Sequence, residues 1–192
     1  MRRRWLAIGS LLVVGAVIGA IGIIGSVEAN RYTATDAFCT SCHAMAGMAS
    51  DPVFVQSRHR SNAEGVRPSC GDCHIPATNW FVETYTHVIK GIKDVVAQMT
   101  HNYDDAAVWE ARRRELADFV RLEMREQNSV TCRSCHDANS IVPASDRGRA
   151  AHALMREGRM TCIDCHFNLV HAPVPPSLGF IRGSGIGGKS RE

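Results

Sequence analysis

The chain has 192 residues, 45% of them hydrophobic, 21% charged and only 6% aromatic, with a formal net charge of +3. That length suits one domain plus an anchor. So small a charge gives no ground for nucleic-acid binding, and so few aromatic residues leave little with which to build a conventional Phe- and Trp-rich core.

The first element is an apolar helix. Arg2, Arg3 and Arg4 precede an uncharged run of 23 residues from Trp5 to Val27. At 1.5 Å per residue this run reaches about 34 Å, enough to cross a hydrocarbon core of about 30 Å with some tilt. The arginines are expected on the cytoplasmic side and everything after Glu28 on the other. A cleaved signal peptide is the competing reading, with Val27-Glu28-Ala29 as a passable cleavage site. The run exceeds the apolar region of a signal peptide, which favours a retained anchor over residues 1–28. Gly15-x-x-x-Gly19 offers a surface on which a second such helix could pack, so a homo-oligomer is possible.

All eight cysteines then fall in four copies of Cys-x-x-Cys-His: Cys39/Cys42/His43, Cys70/Cys73/His74, Cys132/Cys135/His136 and Cys162/Cys165/His166. In the attachment signature of haem c, two thiols bond covalently to the porphyrin and the adjacent histidine reaches the iron. Zinc ribbons need no histidine after every pair, and disulfides need none at all. Four covalent haems c are therefore expected, and with them electron transfer. Four porphyrins would supply the apolar filling that aromatic side chains do not. Their eight propionates would bring the formal charge from +3 to about −5, which removes the sequence pI as an argument for nucleic acid. Covalent haem attachment takes place outside the cytoplasm in bacteria, so the haem domain belongs in the periplasm and the anchor in the inner membrane.

The motifs begin at 39, 70, 132 and 162, a pattern of two dihaem units offset by about 93 residues. His59 lies 11 residues before Cys70 and His152 lies 10 before Cys162, while Asp72 and Asp164 hold the same place inside their motifs. Outside the motifs, His59, His87, His101, His152 and His171 are the candidate second ligands. His171 follows His166 by five residues, and the matching place after the second motif is Asn79. Three distal histidines are thus kept for four haems, and one haem lacks an evident bis-histidine partner.

Between the halves, residues 79–100 read as an amphipathic helix. Glu83, His87, Lys90, Asp94 and Gln98 form a narrow polar stripe opposite Phe81, Tyr85, Val88, Ile89, Ile92, Val95, Val96 and Met99. Such a helix can lie in the bilayer interface or bury its apolar face against the domain. Lys90 and Lys93 are candidates for lipid phosphates or propionates. His87 is open to three roles: proton acceptor, surface residue or iron ligand. Residues 104–127 read as a second helix with an Asp cap, linking the halves, whose Arg112, Arg113 and Arg114 could meet propionates. Beyond Val174, Pro175-Pro176 and five glycines point to a flexible tail over 175–192.

The fold expected is mainly α with little strand: a transmembrane helix and a haem-cored domain over 29–174, with dihaem units at about 29–100 and 128–174. Cys-Thr-Ser-Cys-His-Ala-Met at 39–45, Cys-His-Ile-Pro at 73–76 and Thr-Cys-Ile-Asp-Cys-His followed by His171 resemble the NapC/NirT/NrfH family of membrane-anchored tetrahaem quinol dehydrogenases. The resemblance implies oxidation of menaquinol or ubiquinol beside the first haem and delivery of electrons to a periplasmic reductase for nitrate, nitrite or another acceptor. It implies Met45 as a ligand to the first haem in place of His43. It also implies His59 on haem 4, His171 on haem 3 and His152 on haem 2. Asp94 matches the family's acidic quinol-site residue, with His87 seven places before it. Two departures stand out: Ala77 occupies a place where several relatives have histidine, and the family's quinol-site lysine is missing from its register. Two other functions fit the same motifs, a passive electron carrier without a quinone site and the same site run in reverse as a quinone reductase.

Overall fold

In a computed structural model the described residues are 2–76 and 78–183, and among them helices are joined by turns and loops with no strand. Ala77, and the part of the tail from 184 to 192, lie outside these residues. Helix α1 (Arg2–Thr33) carries the uncharged run, and its apolar side chains from Trp5 to Ile24 are exposed throughout. It is the one described helix long and apolar enough to cross a membrane. Its end is set by Thr33, whose hydroxyl turns back to the Ala29 carbonyl at 2.8 Å. Thr35 then caps the short helix α2 (Asp36–Cys39) by accepting a hydrogen bond from Phe38 N.

The four haem-binding motifs sit on or beside short helices: α2 and α3 (His43–Ser50), then, after α4 (Pro52–Val55), α5 (Cys70–His74). Asp36 stitches the first to the second. Its Oδ1 accepts from Cys70 N at 2.7 Å and its Oδ2 from Arg60 at 2.8 Å. Gly71 is required in the same place, because a Cβ there would stand 2.6 Å from the Ala34 carbonyl oxygen. Burial pushes the Asp36 pKa up, but the Cys70 and Arg60 hydrogen bonds outweigh it and hold the carboxyl below its usual 3.8. A group depressed in the folded state contributes stability above the unfolded value that is lost as pH falls through the folded one. The gap in melting temperature between wild type and Asp36→Asn is therefore expected to be widest above about pH 5 and to close below about pH 3.

The segment read as one helix over 79–100 is three: α6 (Trp80–Tyr85), a π turn (Thr86–Lys90) and α7 (Gly91–Thr100). The π turn shifts the register, so the single polar stripe drawn at constant periodicity does not run through it. Its first part does not lie flat. Trp80 donates to Ser26 at 3.1 Å, Asn30 to Thr84 at 2.8 Å, and His87 meets Thr33 at 2.9 Å, each pair 54 residues apart. Rungs ascending together along both chains mean that this helix runs parallel to the end of α1 rather than across it. Phe81, Tyr85, Val88, Ile92, Val95, Val96 and Met99 remain exposed.

Helix α8 (Ala106–Glu126) is capped by Asp105, which accepts from Ala107 N and Val108 N. It turns through Asn128 and Ser129, both at positive φ, into α9 (Val130–Arg133), which carries Cys132. Helices α10 (Asp146–Arg156) and α11 (Cys162–Cys165) complete the second half. The internal repeat is visible in its caps: Asp72 accepts from Ser69 N and Asp164 from Thr161 N, both at 2.7 Å. Ser129 then plays the part of Asp36 at the other motif pair, its hydroxyl accepting from Ile163 N at 3.1 Å.

The tail expected from 175 onward is corrected for its described part. Residues Leu178–Gly183 form α12, and Phe180 is 1% exposed. Arg125 donates to the Phe180 carbonyl at 2.9 Å and its guanidinium lies 4.0 Å over the Phe180 ring. Composition misses this because the anchoring residues belong to α8. The apolar residues buried by the polypeptide itself are few: Phe54, Met155, Ile163, Val174 and Phe180. This matches a domain whose apolar contacts are made chiefly around prosthetic groups.

Candidate haem and quinol sites

No disulfide joins the cysteines, and the motifs follow one another in space as in sequence. The Cys39 thiol neighbours that of Cys70, Cys73 lies near Cys135, and Cys132 neighbours Cys162. The arrangement is a single file from first motif to fourth.

Cys42 differs from the other thiols expected to hold the first two haems. Cys39, Cys70 and Cys73 are partly buried, whereas Cys42 is exposed at the N-cap of α3, and its side chain makes no capping hydrogen bond. Polypeptide contacts do not enclose Cys42. Cys73, also the second of its motif, is partly buried, so place in the motif alone does not set exposure. The first cysteine of each motif is partly buried, while Cys42, Cys135 and Cys165, each the second of its motif, are exposed. An exposed second thiol is still open to a vinyl group, so Cys42 keeps the chemistry that thioether attachment requires.

Three motif histidines meet a histidine from elsewhere. His136 faces His59 with ring centres 6.1 Å apart, His74 faces His171 at 6.2 Å, and His166 faces His152 at 6.2 Å. A metal between two imidazole nitrogens at about 2.1 Å, each nitrogen about 1.1 Å from its ring centre, spaces the rings by about 6.4 Å. The separation would admit an iron between the rings of each pair. No cluster of three or more His, Cys, Asp or Glu that could hold a metal stands among the described residues. The donor set thus fits haem and not a four-ligand zinc ribbon.

Supporting contacts aim two of the partners. His152 Nδ1 lies 2.8 Å from the Gly148 carbonyl, which can only accept, so Nδ1 carries the proton and Nε2 is free to ligate. His171 stacks on Phe54 at 5.3 Å, and its Nδ1 is buried without a hydrogen-bond partner. The pairing differs from the one the resemblance implies. His59 faces the third motif rather than the fourth, His171 the second rather than the third, and His152 the fourth rather than the second. The physical reason is that the repeat relates positions along the chain, whereas the facing motif is chosen by how the halves dock. His152 stays with its own motif, while His59 and His171 reach across to the other half.

His43 has no histidine facing it, and both it and Met45 are exposed on α3. His101 stacks on Tyr103 at 5.5 Å, in the turn that ends α7.

Around the end of α1 other groups converge. His87, on the π turn, shares a hydrogen bond with Thr33, and the Thr33 carbonyl lies 4.0 Å from Cys39 Sγ of the first motif. Burial lowers the His87 pKa, with Glu83 acting the other way. Asp94 lies on α7, where surrounding protein raises its pKa and Lys90 opposes the rise. Its side chain is solvent-accessible. No hydrogen bond joins Asp94 to His87 among the described residues; the two stand on either side of Lys90. Lys90 itself is ion-paired with Glu123 of α8, which corrects the expectation that it is free for lipid phosphate.

The arginines that matter on α8 are not the 112–114 cluster. Arg112 pairs with Glu115 at the surface, and Arg113 caps the Ala172 carbonyl. Arg121 and Arg125 are buried. Arg121 donates to Asn168 at 2.9 Å and to the Val174 carbonyl at 2.7 Å, and Arg125 binds Asp164 at 2.5 Å. Their spacing of four puts both on one helix face, which was the available signal.

Four Cys-x-x-Cys-His motifs in file, three facing histidine pairs and a single apolar helix define a membrane-anchored tetrahaem c-type cytochrome. The chain belongs to the NapC/NirT cytochrome c family, whose N-terminal-region model matches residues 1–176. It is 36% identical over 171 residues to a probable tetraheme cytochrome c-type protein of Nitrosomonas europaea, covering 88% of this chain and 71% of that one. It is 34% identical over 167 residues to the denitrification system component NirT of Stutzerimonas stutzeri, covering 86% and 82%. With the cytochrome c-type protein TorC of Escherichia coli K12 it shares 34% identity over 180 residues, 92% of this chain but 45% of TorC. The chain thus spans less than half the length of the TorC relative. No solved structure matches.

Proposed function

We propose that this cytochrome oxidises menaquinol or ubiquinol at the outer end of α1 and passes the electrons along its file of haems to a periplasmic reductase. The observation that carries the reading is the convergence at Thr33: a proton acceptor, the end of the membrane helix and the first haem-binding cysteine meet within two hydrogen-bond lengths. Each haem, when bound, takes up and releases one electron through its iron. In the proposed ligation, His59/His136, His171/His74 and His152/His166 hold the third, second and fourth irons, and Met45 or His43 holds the first.

The residues at the membrane end supply what the reaction needs besides an electron acceptor. Quinol releases two protons with its two electrons, so two acceptors are required. His87 Nε2 and the Asp94 carboxylate are the groups of the right kind there. Arg2, Arg3 and Arg4 hold the N-terminus in the cytoplasm, which leaves the haem domain in the periplasm. The carrier reading lacks any role for this convergence, and for the reverse flow no observation speaks.

Anaerobic stopped-flow addition of a menaquinol analogue to detergent-solubilised protein tests the site. Asp94→Asn is expected to slow haem reduction by about 100-fold, the lower end of what a positioned base contributes, with four haems still attached. Equal rates in variant and wild type would remove Asp94 from the mechanism.

A further inference from the structure

The hydrogen bond between Thr33 and His87 has only one arrangement of protons. The Thr33 hydroxyl has a single hydrogen, and its oxygen lies 2.8 Å from the Ala29 carbonyl and 3.2 Å from the Asn30 carbonyl, neither of which can donate. That hydrogen is therefore committed to the helix backbone. The 2.9 Å contact with His87 Nδ1 must then be made by an Nδ1–H donating to the Thr33 oxygen. In the neutral imidazole this leaves the lone pair on Nε2, which is buried and has no hydrogen-bond partner. An imidazole free in its pocket would distribute between both tautomers and lose much of its readiness to accept a proton at Nε2.

We propose that Thr33 is a positioning residue for quinol oxidation: it locks His87 in the Nδ1–H tautomer so that Nε2 is the base presented to the quinol hydroxyl. This rests on the quinol-site reading above. His87 continues the face of α6 that meets α1, four and seven residues on from Trp80 being Thr84 and His87, so the contact with Thr33 belongs to a fixed helix pair. In the step itself, the quinol O–H bond breaks and an Nε2–H bond forms, giving an imidazolium still anchored through Nδ1–H to Thr33. The second proton goes to the Asp94 carboxylate; a haem held by the first motif would supply the acceptor for the two electrons, one at a time, each passed on to the next haem before the second is taken. Nothing about Thr33 changes during the step, which is why its effect must appear in the rate and not in the stoichiometry.

The test compares Thr33→Val, Thr33→Ser, His87→Gln and the double variant Thr33→Val/His87→Gln in the four-haem protein. Three readouts are taken: kcat and KM for menaquinol-analogue oxidation, the pH profile of kcat, and fluorescence titration with a hydroxyquinoline N-oxide as a quinol-site probe. Thr33→Val is expected to lower kcat about tenfold, less than the factor of about 10²–10⁴ that the base itself commands, because only its positioning is lost. KM and probe affinity should stay within about twofold, and Thr33→Ser should restore the wild-type rate and pH profile. In the His87→Gln background, Thr33→Val should have no further effect. The proposal is overturned if Thr33→Val matches wild type, if Thr33→Ser fails to rescue, or if Thr33→Val still slows the His87→Gln protein. If His87→Gln converts one low-spin haem to high spin, His87 is an iron ligand and the proposal also fails. Loss of effect for both His87→Gln and Asp94→Asn would instead defeat the quinol-site reading itself.

Discussion

Exchanging His59 for methionine is expected to change the haem on the third motif and leave the other three as they are. In the proposed ligation His59 and His136 share one iron, their ring centres 6.1 Å apart. A methionine in place of a histidine raises a haem potential, and axial ligands as a class command a range of about 0.8 V. A rise on the order of 0.1 V in one of four potentials is therefore expected for His59→Met. Potentiometry followed by EPR identifies the component that moves. The pairing is checked by a second substitution at the facing motif: His59→Met and His136→Met should perturb the same EPR signal. A signal shared instead by His59→Met and His166→Met would restore the assignment of His59 to the fourth haem.

The largest stability effect is expected at Arg125. Its Nε lies 2.5 Å from Asp164, and the two side chains are 7% and 2% exposed. Removing one member of such a pair leaves an uncompensated buried charge, which costs about 3–5 kcal/mol. Arg125→Met should show this loss in urea unfolding followed by far-ultraviolet circular dichroism. It should also free α12, because the same guanidinium binds the Phe180 carbonyl; faster tryptic cleavage after Arg182 reports that. Arg125→Met/Asp164→Asn should recover much of the stability, since the neutral amide can still cap Thr161 through its oxygen. A double variant no better than the single one would show that the charge is not the source of the cost.

What was legible in the sequence follows from what is local. Haem attachment is a covalent demand on five consecutive residues, so the four motifs declare themselves, and an uncharged run long enough for a bilayer does the same. How deeply each thiol sits is not local, and the exposure of Cys42 beside a half-buried Cys39 has no mark in the motif. His59, His152 and His171 could be picked out because duplication left them at related offsets. Which iron each one faces could not, because His59 and His171 cross between halves and no spacing records docking. Arg125 and Asp164 illustrate the same limit: 39 residues separate them, and composition reads the segment they hold as loose tail. The π turn at Thr86–Lys90 was hidden for another reason. Nothing in Thr-His-Val-Ile-Lys marks a change of helical register, yet that change separates the face carrying His87 from the one carrying Asp94. The quinol site is accordingly the part of the molecule that spacing describes least well.

The account rests on electrons entering through this chain's own site at the membrane. The measurement that tests this most directly uses proteoliposomes containing the wild-type cytochrome, menaquinol and no other protein, with haem absorbance followed under anaerobic conditions. The prediction is that menaquinol alone reduces the haems and that a hydroxyquinoline N-oxide blocks the reduction. Haems that stay oxidised with menaquinol, yet are fully reduced by dithionite, would contradict it and assign the chain to electron carriage without a quinol site.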